Sequence, residues 1–224
     1  MTTSIMLFAA GKGTLMGDLV KDRPKPMVSV AGQMLLDHAL QFTQLPEIGR
    51  RVINTHHHSE VLRNHLRNYD DILISDETDM LRETGGGLKK ALPLLGGSPV
   101  LTMNTDAVWC GPNPVQQVLG AWQDHMEALL LLVPQSQAFG HKGKGDFDLD
   151  VDGRLIRAPG AIYTGIQMIR TEGLGTIAET AFSLNRLWDQ IASRNGLYGT
   201  IYDGQWCDVG QPESIPIAES MLNV

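Results

Sequence analysis

The fold is decided by "SIMLFAAGKGTLMGDLVKDRPKPM", residues 4–27, where an apolar run leads into a loop of small residues and glycines. The apolar run is short, so it predicts a buried strand rather than a helix. In open α/β sheets, ligands bind beyond the carboxyl ends of the strands, and small residues there let backbone N–H groups approach phosphate oxygens. The stretch therefore predicts an α/β protein with an anion-binding loop after its first strand.

The first half of the chain repeats an alternation of strand and helix. Further strands are predicted at 50–56, 71–77, 98–106 and 127–134, and helices at 32–45, 59–68, 87–95 and 114–125. Near-continuous apolar strands joined by helical segments are typical of a largely parallel sheet covered on both faces. The pattern predicts the α/β class, with a three-layer sandwich around a mostly parallel, mixed sheet.

The second half has a different pattern but no linker or internal repeat. "DFDLDVDGRLIRA", residues 146–158, predicts a hairpin, because Asp152-Gly153 supplies the positive φ angles of a two-residue primed turn. Strands at 163–170 and 197–204 and helices at 181–194 and 212–223 follow. We expect one domain, 1–224, in which the second half completes the sheet of the first.

Composition and charge limit the class of function. The 224 residues carry a net charge of -7, which argues against a general nucleic-acid binder. Cys110 and Cys207 have no zinc-site spacing, so both are expected to be reduced thiols. The apolar run from Ile5 to Ala10 is too short for a signal sequence or a membrane span. We expect a cytoplasmic protein without nucleic-acid or membrane partners, either a monomer or a small homo-oligomer.

The glycine loop does not spell either of the two best-known phosphate-binding motifs. G-x-G-x-x-G fails at Met16, and a P-loop would need Ser or Thr where Gly13 stands. Downstream, Pro24 and Pro26 restrict the backbone around Lys25 and predict that it lies in a rigid extended stretch. A plain tight turn remains the alternative interpretation of the glycines alone.

Several motifs taken together resemble the bacterial sugar-1-phosphate nucleotidyltransferases. They are "LFAAGKGTLM", "RPKPM", "ETGGGLKKALPLL" (83–95), "MNTD" (103–106), "YTGI" (163–166) and "YDGQWCDVGQPESI" (202–215). The run "ISDETDMLRETGGGLKKALPLLG" (74–96) is most similar to the N-acetylmuramate-1-phosphate uridylyltransferases of peptidoglycan recycling. The resemblance implies a Rossmann-like nucleotide-diphospho-sugar transferase fold, with a nucleotide-binding half, 1–134, and a sugar-binding half, 135–224.

The resemblance also implies the chemistry. An oxygen of a sugar 1-phosphate attacks the α-phosphorus of a nucleoside triphosphate, here UTP, and pyrophosphate leaves. Lys25 and Asp106 are the implied catalytic residues, and Asp106 and Asp208 are the implied ligands of a Mg²⁺ cofactor. Such a reaction depends more on positioning and charge neutralisation than on proton transfer.

The remaining site residues follow from the same motifs. The implied nucleotide-binding residues are Ala9, Ala10, Gly11, Lys12, Gly13, Thr14, Glu83, Gly85 and Gly86. The implied sugar-binding residues are Asn104, Gly145, Asp146, Thr164 and Gly165. The triad His56 to His58 is instead interpreted as a polar strand-to-helix connection, because adjacent histidines on a strand end point in opposite directions.

One residue departs from the family pattern. Leu15 stands where the pattern has arginine after glycine-threonine, and leucine cannot donate a hydrogen bond to phosphate. Losing a charge-assisted hydrogen bond is expected to weaken triphosphate binding by roughly tenfold to a hundredfold unless another cation substitutes. Two alternatives to uridylyl transfer stay open. One is a guanylyl, cytidylyl or thymidylyl transferase for another sugar phosphate or a phosphocholine-like acceptor. The other, which Leu15 alone supports, is a degenerate nucleotide-binding protein.

Overall fold

The computed structural model describes residues 2–223 and is organised around a seven-stranded sheet. The strands of this and the smaller sheets are β1 (Thr3–Phe8), β2 (Ser29–Val30), β3 (Gln33–Met34), β4 (Ile48–Thr55), β5 (Ile72–Asp76), β6 (Val100–Asn104), β7 (Ala107–Cys110), β8 (Ala128–Val133), β9 (Ala138–Phe139), β10 (Phe147–Leu149), β11 (Leu155–Arg157), β12 (Ile162–Ile169), β13 (Leu197–Ile201) and β14 (Gln205–Asp208). The α-helices are α1 (Leu35–Leu40), α2 (Ser59–Leu66), α3 (Glu83–Leu95), α4 (Pro114–Ala121), α5 (Asn185–Ala192) and α6 (Ser214–Met221). Short 3-10 turns span Thr14–Val20, Lys25–Met27, Gln41–Thr43, Gln135–Gln137 and Glu172–Thr176.

The large sheet has the strand order β13-β8-β12-β6-β1-β4-β5. Strand β12 runs antiparallel to both of its neighbours, and the other four pairings are parallel. Every residue of β8 is buried, as expected for a strand covered on both faces. The predicted α/β architecture with a mostly parallel, mixed sheet is confirmed.

The core lies in two layers, one on each face of the large sheet. Ile5 and Leu7 of β1 pack in the layer that contains the apolar residues of α1, α2 and α4, whereas Met6 packs with those of α3 and α5. This alternation follows from the two-residue period of a strand. Full burial of each such side chain contributes about 1.5–3 kcal/mol.

A small sheet completes the fold beside the large one. It has the strand order β7-β14-β9, with β14 antiparallel to β7 and parallel to β9. Sequence patterns did not predict β7, β9 or β14 as separate strands, because they are only two to four residues long. Strand β14 of this sheet ends at Asp208, one of the two predicted metal ligands.

The hairpin at 146–158 is confirmed, but its predicted turn type is wrong. Strands β10 and β11 pair antiparallel, with Phe147 opposite Arg157. The N–H of Gly153 donates to the carbonyl of Asp150 at 3.0 Å, and Gly153 has φ 80° while Asp152 is not in the left-handed region. The connection is thus a three-residue loop with glycine at the left-handed position, not a two-residue primed turn.

All six predicted helices differ in length from the observed ones, and α2, α4, α5 and α6 are each shorter than predicted. The helix predicted at 32–45 is reduced to α1, followed by the 3-10 turn Gln41–Thr43, and the helix predicted at 87–95 begins earlier, at Glu83. The histidine triad connects β4 to α2 as predicted.

Both cysteines are free, and burial raises the pKa of the Cys207 thiol to about 12. Within residues 2–223, no helix is long and apolar enough to cross a membrane.

Candidate active site

The candidate site lies where parallel strands end. Strands β1, β4, β5 and β6 run in the same direction, so the segments that follow them meet at one edge of the large sheet. A cavity of about 230 Å³ opens there. Its lining residues are Phe8, Ala9, Ala10, Gly11, Lys25, Pro26, Asn54, Glu77, Leu81, Glu83, Thr84, Asn104, Thr105 and Asp106.

The glycine loop follows β1 directly and approaches Lys25 closely. Gly13 has φ 62°, and a Cβ on it would lie 2.7 Å from Lys25 Cβ. Glycine is therefore required at position 13 for two reasons, its left-handed backbone and the contact with the lysine stem. Gly11 lines the cavity, whereas Lys12 and Thr14 are exposed and do not line it.

Lys25 is held rigidly, although not in the predicted extended stretch. Pro24 is extended, and Lys25 itself begins the 3-10 turn Lys25–Met27, closed by a hydrogen bond from Met27 N–H to the Pro24 carbonyl at 2.9 Å. The prolines thus favour a tight turn rather than an extended segment. The side chain of Lys25 is only 13% exposed, and its Nζ donates to Asp106 Oδ2 at 2.8 Å.

The two predicted metal-binding aspartates are brought together by the small sheet. Asp106 follows β6, and Asp208 ends β14 opposite Ala107. The N–H of Val209 donates to the Asp106 carbonyl at 2.9 Å, which ties the two segments directly. Residues about one hundred positions apart in the sequence therefore share one site.

Asp208 is a buried carboxyl with a second carboxyl, that of Asp106, close to it. Burial raises the pKa of the Asp208 carboxyl above its ordinary value, and the neighbouring charge of Asp106 raises that pKa further. Lys25 and His141 act in the opposite direction, with His141 Nδ1 3.6 Å from Asp208 Oδ2. An additional cation would stabilise the ionised form of Asp208.

Sequence reasoning missed a buried polar pair that supports the loop. Ala9 N–H donates to Asn54 Oδ1 at 2.7 Å, and Asn54 Nδ2 donates to Glu77 Oε1 at 2.8 Å. Glu77 is fully buried, and burial raises the pKa of its carboxyl. The available signal was a polar residue at the end of each of two apolar strands, β4 and β5, the positions where ligand sites form in such sheets.

The glycine run in α3 has a packing role in this structure. The amides of Gly85 and Gly86 both donate to the Phe182 carbonyl, at 2.8 and 3.1 Å. A Cβ on Gly85 would overlap the Phe182 ring, and one on Gly86 would overlap the Thr180 carbonyl. The cavity is instead lined here by Thr84 and by Glu83, whose φ of 59° is unusual for a residue with a side chain.

A second cavity, of about 280 Å³, adjoins the first and has Phe8, Thr84 and Asn104 in common with it. Its other lining residues are Asp146, Phe147, Arg157, Tyr163, Ser183, Leu184, Asn185 and Trp188. Asn104 and Asp146, two of the predicted sugar-binding residues, therefore share this cavity.

The other predicted sugar-binding residues, Gly145, Thr164 and Gly165, do not line either of these two cavities. A Cβ on Gly165 would lie 2.7 Å from Asn104 Cβ, so glycine lets β12 approach Asn104 closely. Gly145 packs in the same way against Gly160. Thr164 is buried, and its hydroxyl donates to the Leu131 carbonyl at 2.7 Å, inside the sheet.

Comparison with known proteins identifies the family of this chain. The model of the MobA-like NTP transferase domain matches residues 5–199. The chain belongs to this family. A member of the MobA-like NTP transferase family is a nucleotidyltransferase, which confirms the class of enzyme indicated by the motifs.

Two relatives of this NTP transferase share one name with each other. N-acetylmuramate alpha-1-phosphate uridylyltransferase of Caulobacter vibrioides is 35% identical, with 97% of this chain and 96% of the relative covered. The protein of that name from Neisseria meningitidis serogroup B is 30% identical, with 92% of each chain covered. The crystal structure of HddC from Yersinia pseudotuberculosis has a TM-score of 0.79 at 17% identity, over 99% of this chain and 100% of that one, and shows the same fold.

The geometry is suited to transfer between two anionic substrates. The first cavity contains Gly11 of the glycine loop, Lys25 and Asp106, the second contains Asp146, and Asn104 lines both. Two phosphate groups brought together beside Lys25 would repel each other, and the positive charge of Lys25 would offset this repulsion. An NTP transferase domain with this arrangement can hold a triphosphate and an acceptor side by side.

Proposed function

We propose that this chain transfers UMP from UTP to N-acetylmuramate 1-phosphate and releases pyrophosphate. The convergence of Lys25, Asp106 and Asp208 near the glycine loop carries the proposal. The names of the two uridylyltransferase relatives support the choice of nucleotide and acceptor. We also propose that 1–224 acts as a single domain, with the nucleotide mainly on 1–134 and the sugar mainly on 135–224.

The reaction is an in-line displacement at phosphorus. An oxygen of the acceptor phosphate forms a bond to the α-phosphorus of UTP, and the bond from that phosphorus to the bridging oxygen breaks as pyrophosphate leaves. Catalysis of such a step comes from positioning and charge stabilisation. Lys25 can donate to non-bridging phosphate oxygens, and its rigid 3-10 turn fixes the ammonium relative to Asp106.

The donor set fits a magnesium ion. Magnesium takes one or two protein carboxylates and completes its shell with water and substrate phosphates. Asp106 and Asp208 supply two carboxylates, and within residues 2–223 no group of three or more His, Cys, Asp or Glu side chains is arranged to hold a metal. The raised pKa of Asp208, due to burial and to Asp106, supports a site that is completed by a cation. Bound there, Mg²⁺ would neutralise charge on the phosphate oxygens.

The decisive experiment is pyrophosphate release with UTP, Mg²⁺ and a panel of sugar 1-phosphates. We expect turnover with N-acetylmuramate 1-phosphate and its loss in Lys25→Met. Lys21→Met is the matched control, because Lys21 is an exposed lysine in the same segment. Turnover with GTP, CTP or TTP but not UTP would overturn the assignment of the base. Binding of triphosphates without any pyrophosphate release would overturn the proposed activity and favour a nucleotide-binding protein.

A further inference from the structure

Arg157 gives the acceptor side a positive charge that the proposed transfer step does not use. It ends β11 opposite Phe147 and lines the second cavity. Of the described residues that line this cavity, Arg157 is the one lysine, arginine or histidine. Lys25, the cation assigned to the reacting phosphates, lines the first cavity. The sugar side therefore has a cation of its own.

The guanidinium of Arg157 is held in a defined orientation. Its central carbon lies 4.9 Å from the centroid of the Phe147 ring and 5.7 Å from that of Trp188. Nη2 donates to Asn185 Oδ1 at 2.9 Å and to Asp189 Oδ1 at 3.1 Å. These contacts use one of its three nitrogens. Among the described residues, Nε and Nη1 have no hydrogen-bond partner, and the side chain is half exposed.

A guanidinium placed in this way is suited to a carboxylate. Two of its parallel N–H groups, here called the fork, match the two oxygens of a carboxylate, and the aromatic rings beside the guanidinium fix its orientation. Asp146, the acidic residue of the cavity lining, already accepts the N–H of Tyr163 at 2.9 Å. Nη2 is already paired with the exposed Asp189, so Nε and Nη1 are the groups available to an acceptor, and an acceptor with no negative group besides its phosphate would offer them no carboxylate.

We infer that Arg157 recognises a carboxylate on the sugar of the acceptor and so selects acidic sugar 1-phosphates. The inference rests on the proposed function and deepens it. N-acetylmuramate carries a carboxylate on its lactyl ether, whereas N-acetylglucosamine, otherwise the same sugar, does not. Arg157 is thus a specificity-determining residue for that difference.

The test compares the two sugar 1-phosphates, with UTP, in the intact chain and three variants. Arg157→Gln removes the charge, and Arg157→Lys keeps the charge but not the fork. Arg154→Gln is the matched control, because Arg154 lies on the same hairpin but pairs with Asp152 and stacks over Tyr198. Thermal unfolding and KM for UTP are measured for each variant to detect a change in folding.

We expect Arg157→Gln to raise KM for N-acetylmuramate 1-phosphate by roughly tenfold to a hundredfold, the value of a charge-assisted hydrogen bond, with a smaller change in kcat. The ratio of kcat/KM between the two acceptors should fall by a similar factor. The ratio for Arg157→Lys should lie between those of the unmodified chain and Arg157→Gln. Arg154→Gln should keep the ratio of the unmodified chain.

Equal losses for both acceptors would overturn the inference and show that Arg157 only fixes the hairpin to α5. A preference of the unmodified chain for N-acetylglucosamine 1-phosphate would overturn it as well, while leaving nucleotidyl transfer intact. If no acceptor is turned over, the proposed function fails, and Arg157 is tested by calorimetric binding of the two sugar 1-phosphates. Tighter binding of the acidic sugar that is lost in Arg157→Gln would support the inference, and equal binding would overturn it.

Discussion

Leu15 provides a direct test of how the glycine loop holds a triphosphate. It lies in the 3-10 turn Thr14–Val20, two residues after Gly13, and 75% of its surface is exposed. Replacing it with arginine therefore removes almost no buried apolar area and should change stability by less than about 0.5 kcal/mol. The new guanidinium would lie on the same loop that contacts the stem of Lys25.

The expected gain follows from one added charge-assisted hydrogen bond to phosphate. Such a bond contributes about 1.5–3 kcal/mol, which corresponds to roughly a tenfold to hundredfold lower KM for the triphosphate. Part of the gain will be offset, because the side chain of arginine loses rotamer freedom when it binds.

The assay measures initial rates of pyrophosphate release over a range of UTP concentrations at saturating acceptor. Leu19→Arg is the matched control, since Leu19 lies in the same turn and is 40% exposed. Any general attraction between added positive charge and UTP would appear in both variants. An unchanged KM for UTP in Leu15→Arg, or an equal decrease in both, would refute the argument that position 15 faces the phosphates.

Two further variants test the site. At neutral pH and without metal, Asp208→Asn should unfold at a higher temperature than the unmodified chain and should lose UMP transfer. The pKa of Asp208 is raised in the folded state, so above its ordinary pKa the ionised carboxyl destabilises the fold. The gain in stability should therefore vanish at acidic pH, where this carboxyl is protonated in both the folded and the unfolded state. A lower unfolding temperature at pH 7 would contradict this. Gly13→Ala should cost about 1–2 kcal/mol from the left-handed backbone and also lower kcat, because its Cβ displaces Lys25. Gly32→Ala, with φ 75° and open space around it, should lose stability but keep kcat.

The parts of the fold that the sequence predicts well are those with strong local patterns. Strands such as β8 are apolar throughout and buried on both faces, so a run of leucines is sufficient to identify them. The hairpin at 146–158 was visible because alternation and a turn glycine coincide. The turn type of this hairpin could not be predicted from the sequence, because the φ angle of Asp152 depends on how the two strands pair.

The candidate site was less predictable because it is assembled from distant segments. The contact between Phe182 and the glycine run of α3 joins positions almost one hundred residues apart, and no local pattern encodes it. The Asn54–Glu77 pair is similar, since each residue alone is an ordinary polar residue at a strand end. Arg157 also carries no signal in the sequence, because its importance comes from the rings of Phe147 and Trp188 that fold beside it.

The position of the proposed catalytic groups depends on one small apolar cluster outside the two main core layers. That cluster contains Met16 from the turn after the glycine loop, Val28 from the segment after Lys25, and Val209, the neighbour of Asp208. Ala218 and Met221 of α6 also belong to it. The three segments that hold the glycine loop, Lys25 and Asp208, the groups proposed to bind phosphate and metal, are therefore packed against one shared cluster. Because cores are close-packed, a shift in any one of these side chains is transmitted to the others. The distance between Lys25 and the two aspartates is thus set by the packing of α6 as well as by the large sheet.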